Sequence, residues 1–167
     1  MSTVKSTLAS NLDATPQVRN DTITDGGVVK SACSVATVSA TIPAADIVHM
    51  VRIPTNARVA DVLLSAADAT TALAADVGLY SQGSDGTYTA VDVDFFATAY
   101  DFTNGPITKL SVLNESTTNT PAKQAQPIWQ AVGASSDPQG YYYVSLTITT
   151  QGNGGPTSIG CEVRYVE

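Results

Sequence analysis

Charge is scarce in this 167-residue chain: only 14% of its residues are Asp, Glu, Lys or Arg, against about 25% in a typical soluble domain. There is one histidine, His49, one tryptophan, two cysteines and three phenylalanines. Each shortage excludes something. Eight cations, spread singly from Lys5 to Arg164, form no basic cluster, so nothing here neutralises a run of nucleic-acid phosphates. No apolar run approaches the roughly 20 residues of a membrane helix. MSTVKSTLASNLDA is too polar for the apolar stretch of a secretory signal. One histidine excludes a His-rich metal site, and two cysteines alone cannot complete a four-ligand zinc site. No phosphate-binding glycine loop and no CxxC pair occurs.

What is abundant is small or β-branched. Ala and Thr occur 22 times each, Val 18 and Ser 15. The net charge is −7, which keeps a sparsely charged chain soluble. The length suits one domain of ordinary size.

Residues 1–30 are rich in Ser, Thr, Asn and Asp and end in the turn signal Asp25-Gly26-Gly27. They are expected to form an N-terminal arm ahead of a single domain over 31–167. Val4, Leu8 and Leu12 are spaced for one face of a short helix, weakened by the surrounding Ser and Thr. These three, with Val18 and Arg19, are the arm's candidate partner contacts.

From Ser34 the period becomes two. Ala36, Val38, Ala40 and Ile42 share one face of a strand over 34–42, with hydroxyl-rich residues on the other. Further strands are expected over 47–53, 57–65, 76–80, 109–113, 141–150 and 157–166. Val59, Asp61, Leu63 and Ser65 should oppose Ala60, Val62 and Leu64. Residues 88–93 either pair back across the Gly83–Gly86 turn or give way to a helix over 92–99. Pro127 to Gly133 fits one or two helical turns, with Pro at the start and Gly at the stop. The last two runs should pair as an antiparallel hairpin. Seven or eight short strands with minor helical turns predict an all-β antiparallel sandwich or jelly-roll-like domain.

No assembled chemistry emerges. His49 lies within an apolar strand and is expected to be a packed or edge histidine. Asp92 and Asp94 share one side of a strand, but the pattern is not a calcium loop, and solvated aspartates are the expectation. Cys33 and Cys161 should be reduced thiols buried as small apolar groups; a disulfide would need the first and last core strands to be neighbours. Of Tyr141, Tyr142 and Tyr143, the middle ring enters the core. Tyr141 and Tyr143 remain outside as candidate interface anchors or a stacking platform. No enzymatic activity, cofactor or metal is expected.

Five segments carry a resemblance: Arg52-Ile53-Pro54-Thr55-Asn56-Ala57-Arg58-Val59; Asp76-Val77-Gly78-Leu79-Tyr80; Pro127-Ile128-Trp129; Asp137-Pro138-Gln139-Gly140-Tyr141-Tyr142; and Glu162-Val163-Arg164-Tyr165-Val166. Their order resembles that in small virion proteins of tailed bacteriophages, over roughly residues 30–167. The resemblance implies a non-enzymatic structural protein, most plainly a capsid decoration or cement protein on the head exterior, present in the host cytoplasm before assembly. Its implied partners are the major capsid protein or other virion proteins, with no nucleic acid or membrane. It also implies a homo-oligomer, a trimer at a local symmetry axis being one arrangement. A tail, neck or fibre-associated component and a carbohydrate-binding β-sandwich are the alternatives.

Overall fold

The alternating segments do become strands. A computed structural model describes residues 6–19, 27–39, 41–67, 72–103, 106–152 and 157–167. Among these, eight strands and three short helices form: α1 (Thr7–Leu12), β1 (Val29–Val38), β2 (Ile47–Pro54), β3 (Arg58–Ala66), β4 (Ala74–Gln82), β5 (Tyr88–Asp101), β6 (Ile107–Ser111), α2 (Pro121–Gln124), α3 (Ile128–Ala131), β7 (Tyr141–Thr150) and β8 (Thr157–Val166). They make two four-stranded sheets, ordered β1-β8-β3-β6 and β2-β7-β4-β5.

The pairing is nested. β4 pairs β5, β3 pairs β6, β2 pairs β7 and β1 pairs β8, all antiparallel. This is one long hairpin rolled on itself, with β8 against β3 and β7 against β4 joining the rolled halves. The sandwich is therefore a jelly roll. Nesting also corrects the expected β7–β8 hairpin. The two strands have the predicted bounds, but they lie in opposite sheets, each paired with its counterpart from the start of the roll.

The core fills the space between the sheets. Val62, Leu64, Ile159, Cys161 and Val163 from one sheet are buried with Val77, Leu79, Val144, Leu146 and Ile148 from the other. Burying a side chain of this size contributes about 1.5–3 kcal/mol each. On β3 the expected alternation fails at Ala60. The register with β8 shifts between Val59 and Asp61, and this bulge turns both Val59 and Val62 inward. β1 starts at Val29 and ends at Val38, short of the expected Ile42; Ala40 lies outside the described residues. Ala36 and Val38 do face the core.

The alternative helix over 92–99 is absent. β5 is a continuous strand broken by bulges, in which Val77 opposes Ala97 while Leu79 opposes Asp92. The extra residues bring neighbouring Phe95 and Phe96 both into the core, their rings edge to face at 5.0 Å. Gly78 makes room for this detour: a Cβ there would sit 2.2 Å from the Asp92 carbonyl oxygen and 2.3 Å from the Val93 carbonyl carbon.

Two details complete the frame. Helix α2 falls in a stretch expected to hold only one short strand. Helix α3 forms as expected, although Pro127 caps it rather than opening it, and Gly133 leaves it at φ +86°. The backbone N–H groups of Ile128 and Trp129 donate to the carbonyls of Ala57 and Thr55, which satisfies the helix start and pins it to the β2–β3 turn.

The cysteines divide. Cys161 is buried and Cys33 is exposed, both as free thiols, which corrects the expectation that both are buried. Their strands are neighbours, but Ser34 pairs with Cys161 and Cys33 with Glu162. A shift of one residue puts the two thiols on opposite faces of the sheet. Burial pushes the Cys161 thiol up to about 12.

Candidate interaction surface

The outward face of the β2-β7-β4-β5 sheet carries most of the exposed aromatic chemistry. His49 pairs in register with Ser145 and Arg52 with Tyr143; Tyr143 in turn pairs with Tyr80. From the opposite edge, Tyr88 spans the sheet and stacks on His49, with centroids 3.8 Å apart and planes at 23°. Tyr143 meets Tyr88 edge to face at 5.1 Å, and Tyr80 meets His49 at 5.5 Å. The cluster draws together positions 49, 80, 88 and 143.

Its polar atoms are tied within the face. His49 Nδ1 and Ser145 Oγ are 2.8 Å apart, Tyr80 Oη and Thr147 Oγ1 2.7 Å, and the Tyr143 hydroxyl donates to Gln82 Oε1 at 3.0 Å. Burial lowers the His49 pKa from its ordinary value, which favours the neutral imidazole. His49 is thus both packed and on an edge strand, as expected. Its hydroxyl partner, Ser145, is fully buried.

The predicted contact residues fall in two places. Tyr141 and Tyr143 share the outward face of β7, and Tyr142 enters the core, as alternation requires. Tyr141 is 52% exposed, with the Arg52 guanidinium 4.3 Å from its ring centroid. It borders two open hollows, one lined by Asn56, Asp137 and Gln139, the other by Ser81, Gln82 and Pro138. Tyr143 is half-buried in the aromatic cluster. In the N-terminal segment, Leu8 is half-buried and Leu12 closes α1, which Ser6 caps by accepting from the Ala9 N–H. Val18 and Arg19 are exposed; Val4 lies outside the described residues.

The carboxylates are largely structural. Asp85 accepts from Thr87 N–H and hydroxyl, Asp137 from the Thr55 hydroxyl and Gln139 N–H, and Asp76 from Ala99 N–H. Asp92 departs from the expectation of a solvated group. It is half-buried in the β5 bulge, and burial and neighbouring Asp94 raise its pKa. Among the described residues, no group of three or more His, Cys, Asp and Glu could hold a metal ion, and no helix is long and apolar enough to cross a membrane.

The other sheet's outward face is ionic. Glu162 accepts from Lys109 Nζ at 2.9 Å and Arg164 Nε at 2.8 Å, with Ser31 Oγ at 3.2 Å. The Lys109 bond first, then Arg164, holds its carboxyl down to about 2. A folded-state pKa below the unfolded one gives stability that is whole above the ordinary value of 4.5 and lost as pH falls toward 2. The thermal midpoint of Glu162→Gln should therefore fall less steeply than wild type over that window. Parallel curves would show that the three contacts leave stability unchanged.

No family model and no curated protein matches the sequence. Solved structures do share the fold. A chain in "Capsid of Ralstonia phage GP4" aligns over 84% of this chain and 85% of its own, with TM-score 0.58 and 20% identity. A chain in "Cyanophage Pam1 capsid asymmetric unit" aligns over the same shares, with TM-score 0.49 and 15% identity. The structural neighbours are thus chains from phage capsid structures.

Proposed function

We propose that this chain is a non-enzymatic structural protein of a bacteriophage virion, and within that class a decoration or cement protein. It binds the lattice of the major capsid protein on the outside of the head and stabilises it, having been a soluble protein of the host cytoplasm beforehand. The observation that carries this reading is the jelly roll shared with a chain of the GP4 capsid across 84% of the sequence. A fold hosts many functions, so the surface must agree with it. Hydroxyl-covered strand faces, turn-bound aspartates and an acidic net charge suit a protein held in many copies and bound by area. Contacts come from the N-terminal arm and from Tyr141, whose exposed ring is the kind of anchor interfaces favour. A homo-oligomer, such as a trimer at a local symmetry axis, multiplies weak contacts by avidity.

A glycan-binding role is the second reading, favoured by the aromatic face around Tyr88 and by the use of jelly rolls in lectins. Co-sedimentation separates these readings. The purified protein should pellet with heads stripped of decoration and stay in solution with isolated tails. Pelleting with tails alone would assign it to the tail, neck or fibres. Binding to immobilised glycan, lost in Tyr88→Ala, with no binding to heads would favour the second reading.

A further inference from the structure

We propose that the free edge of β1 is a contact between two copies of this chain, which pair their β1 strands antiparallel about a two-fold axis. The inference rests on the edge itself and not on the virion reading.

Among the described residues the roll leaves four edge strands: β1 and β6 in one sheet, β2 and β5 in the other. A bare edge is a template for another strand, and stable monomers blunt theirs with bulges, proline, charge or short length. Three of these four are blunted. β2 has a register shift after His49 and ends in Pro54. β5 is bulged at three places. β6 has five residues and an irregular register with β3. β1 has none of these devices. Its ten residues pair with β8 in unbroken register, and it contains no proline and no acid. Its one charge, Lys30, sits near the end of the strand and is bound to Glu167. Among the described residues, no backbone group from a loop or turn bonds to β1.

The strand's side chains are correspondingly undercovered. Val29 is 57% and Val35 68% exposed on the outward face. Ala32, Ser34 and Ala36 face the core yet are only half-buried. A neighbouring strand would complete both faces and pair the main-chain groups between them in a regular ladder.

A second copy meets the remaining requirements. Two chains of net charge −7 repel least where no acid stands, and β1 offers that stretch. Antiparallel pairing also sends the two Lys30 side chains to opposite ends of the ladder. Directly opposed residues in such a ladder point to the same side. A two-fold at Cys33 therefore sets Cys33 beside Cys33 of the copy, with Val35 opposite Ser31 and Val29 opposite Thr37 on the same outward side, while Ala32 and Ser34 oppose each other in a common inner layer. The product is one eight-stranded sheet shared by two jelly rolls.

Sedimentation equilibrium of the full chain at micromolar concentration tests this, alongside treatment with a short bis-maleimide. The wild type should be a dimer that the reagent links through Cys33, with linkage lost in Cys33→Ser; buried Cys161 does not react. The double variant Cys33→Lys/Val35→Lys sets four like charges beside the axis on outward positions, so it should melt like wild type yet dimerise at least tenfold more weakly. A wild type that stays monomeric overturns the proposal. So does a dimer that the double variant leaves intact and the reagent does not link.

Discussion

Gly78→Ala should destabilise the fold by about 3 kcal/mol, the upper part of the usual range for overpacking, and lower the thermal midpoint by about 10 °C. The sign is informative. In a strand interior, alanine ordinarily stabilises relative to glycine, because it restricts the unfolded chain. Here the added Cβ meets backbone, with the Asp92 carbonyl oxygen at 2.2 Å and the Val93 carbonyl group at 2.3 Å. No rotamer change relieves that contact, so the β5 detour must move. Phe95 and Phe96, at 2% and 0% exposure, are turned inward by that detour and would lose their seating. Gly140→Ala is the control, since a Cβ there meets nothing closer than 3.9 Å, and it should stay within about 0.5 kcal/mol of wild type. Denaturant unfolding of both variants reads the difference. Equal midpoints would show that the bulge is not held by the close approach at Gly78.

Deleting residues 1–25 should abolish binding to undecorated heads, a loss of at least a hundredfold, while leaving the melting temperature within a few degrees of wild type. Among the described residues every strand pairing begins at Val29 or later, so the deletion removes none of these ladder hydrogen bonds. What it removes is the segment that carries Leu8, Leu12, Val18 and Arg19. A terminal segment that orders on a partner pays its entropy at binding, and an extensive contact is then needed to offset it. Its loss should therefore be large in affinity and small in stability. Co-sedimentation of the truncated chain with heads measures the first and calorimetry the second. Undiminished binding would move the head contact to the jelly roll itself, with Tyr141 and its flanking hollows as the next surface to alter.

The strands were legible because alternation is local. The bounds of β7 and β8, the inward turn of Tyr142, Val144, Leu146 and Ile148, and the place of α3 all follow from a few neighbouring residues. Partnering was not legible. Two adjacent, well-patterned strands across a glycine-rich loop look like a hairpin, and only the nested order of the whole roll sends β7 to β2 and β8 to β1. Bulges escaped for a related reason. At Ala60, and again between Asp92 and Ala97, one strand carries residues its partner does not match, so faces change without a change in composition. The bulge beside Val51 leaves neighbouring Met50 and Val51 both buried. The aromatic face was half visible: Tyr141 and Tyr143 stood out by spacing, whereas Tyr88 and His49, 39 positions apart, meet only once the sheet is ordered. The Cys33 error has the same root, since a thiol's burial depends on which strand edge and face it occupies and not on its residue type.

The scarce charge of the chain is unevenly placed. Among the described residues, two salt links gather on the outward face around Glu162, and β1 has one, Lys30 to Glu167, near its end. Such a surface suits repeated close packing against copies and partners. The most direct measurement is electron cryomicroscopy of the virion that carries this chain. The account predicts jelly-roll densities repeated over the outside of the head, each seated on the major capsid protein through its N-terminal arm. Density confined to the tail or neck would contradict it.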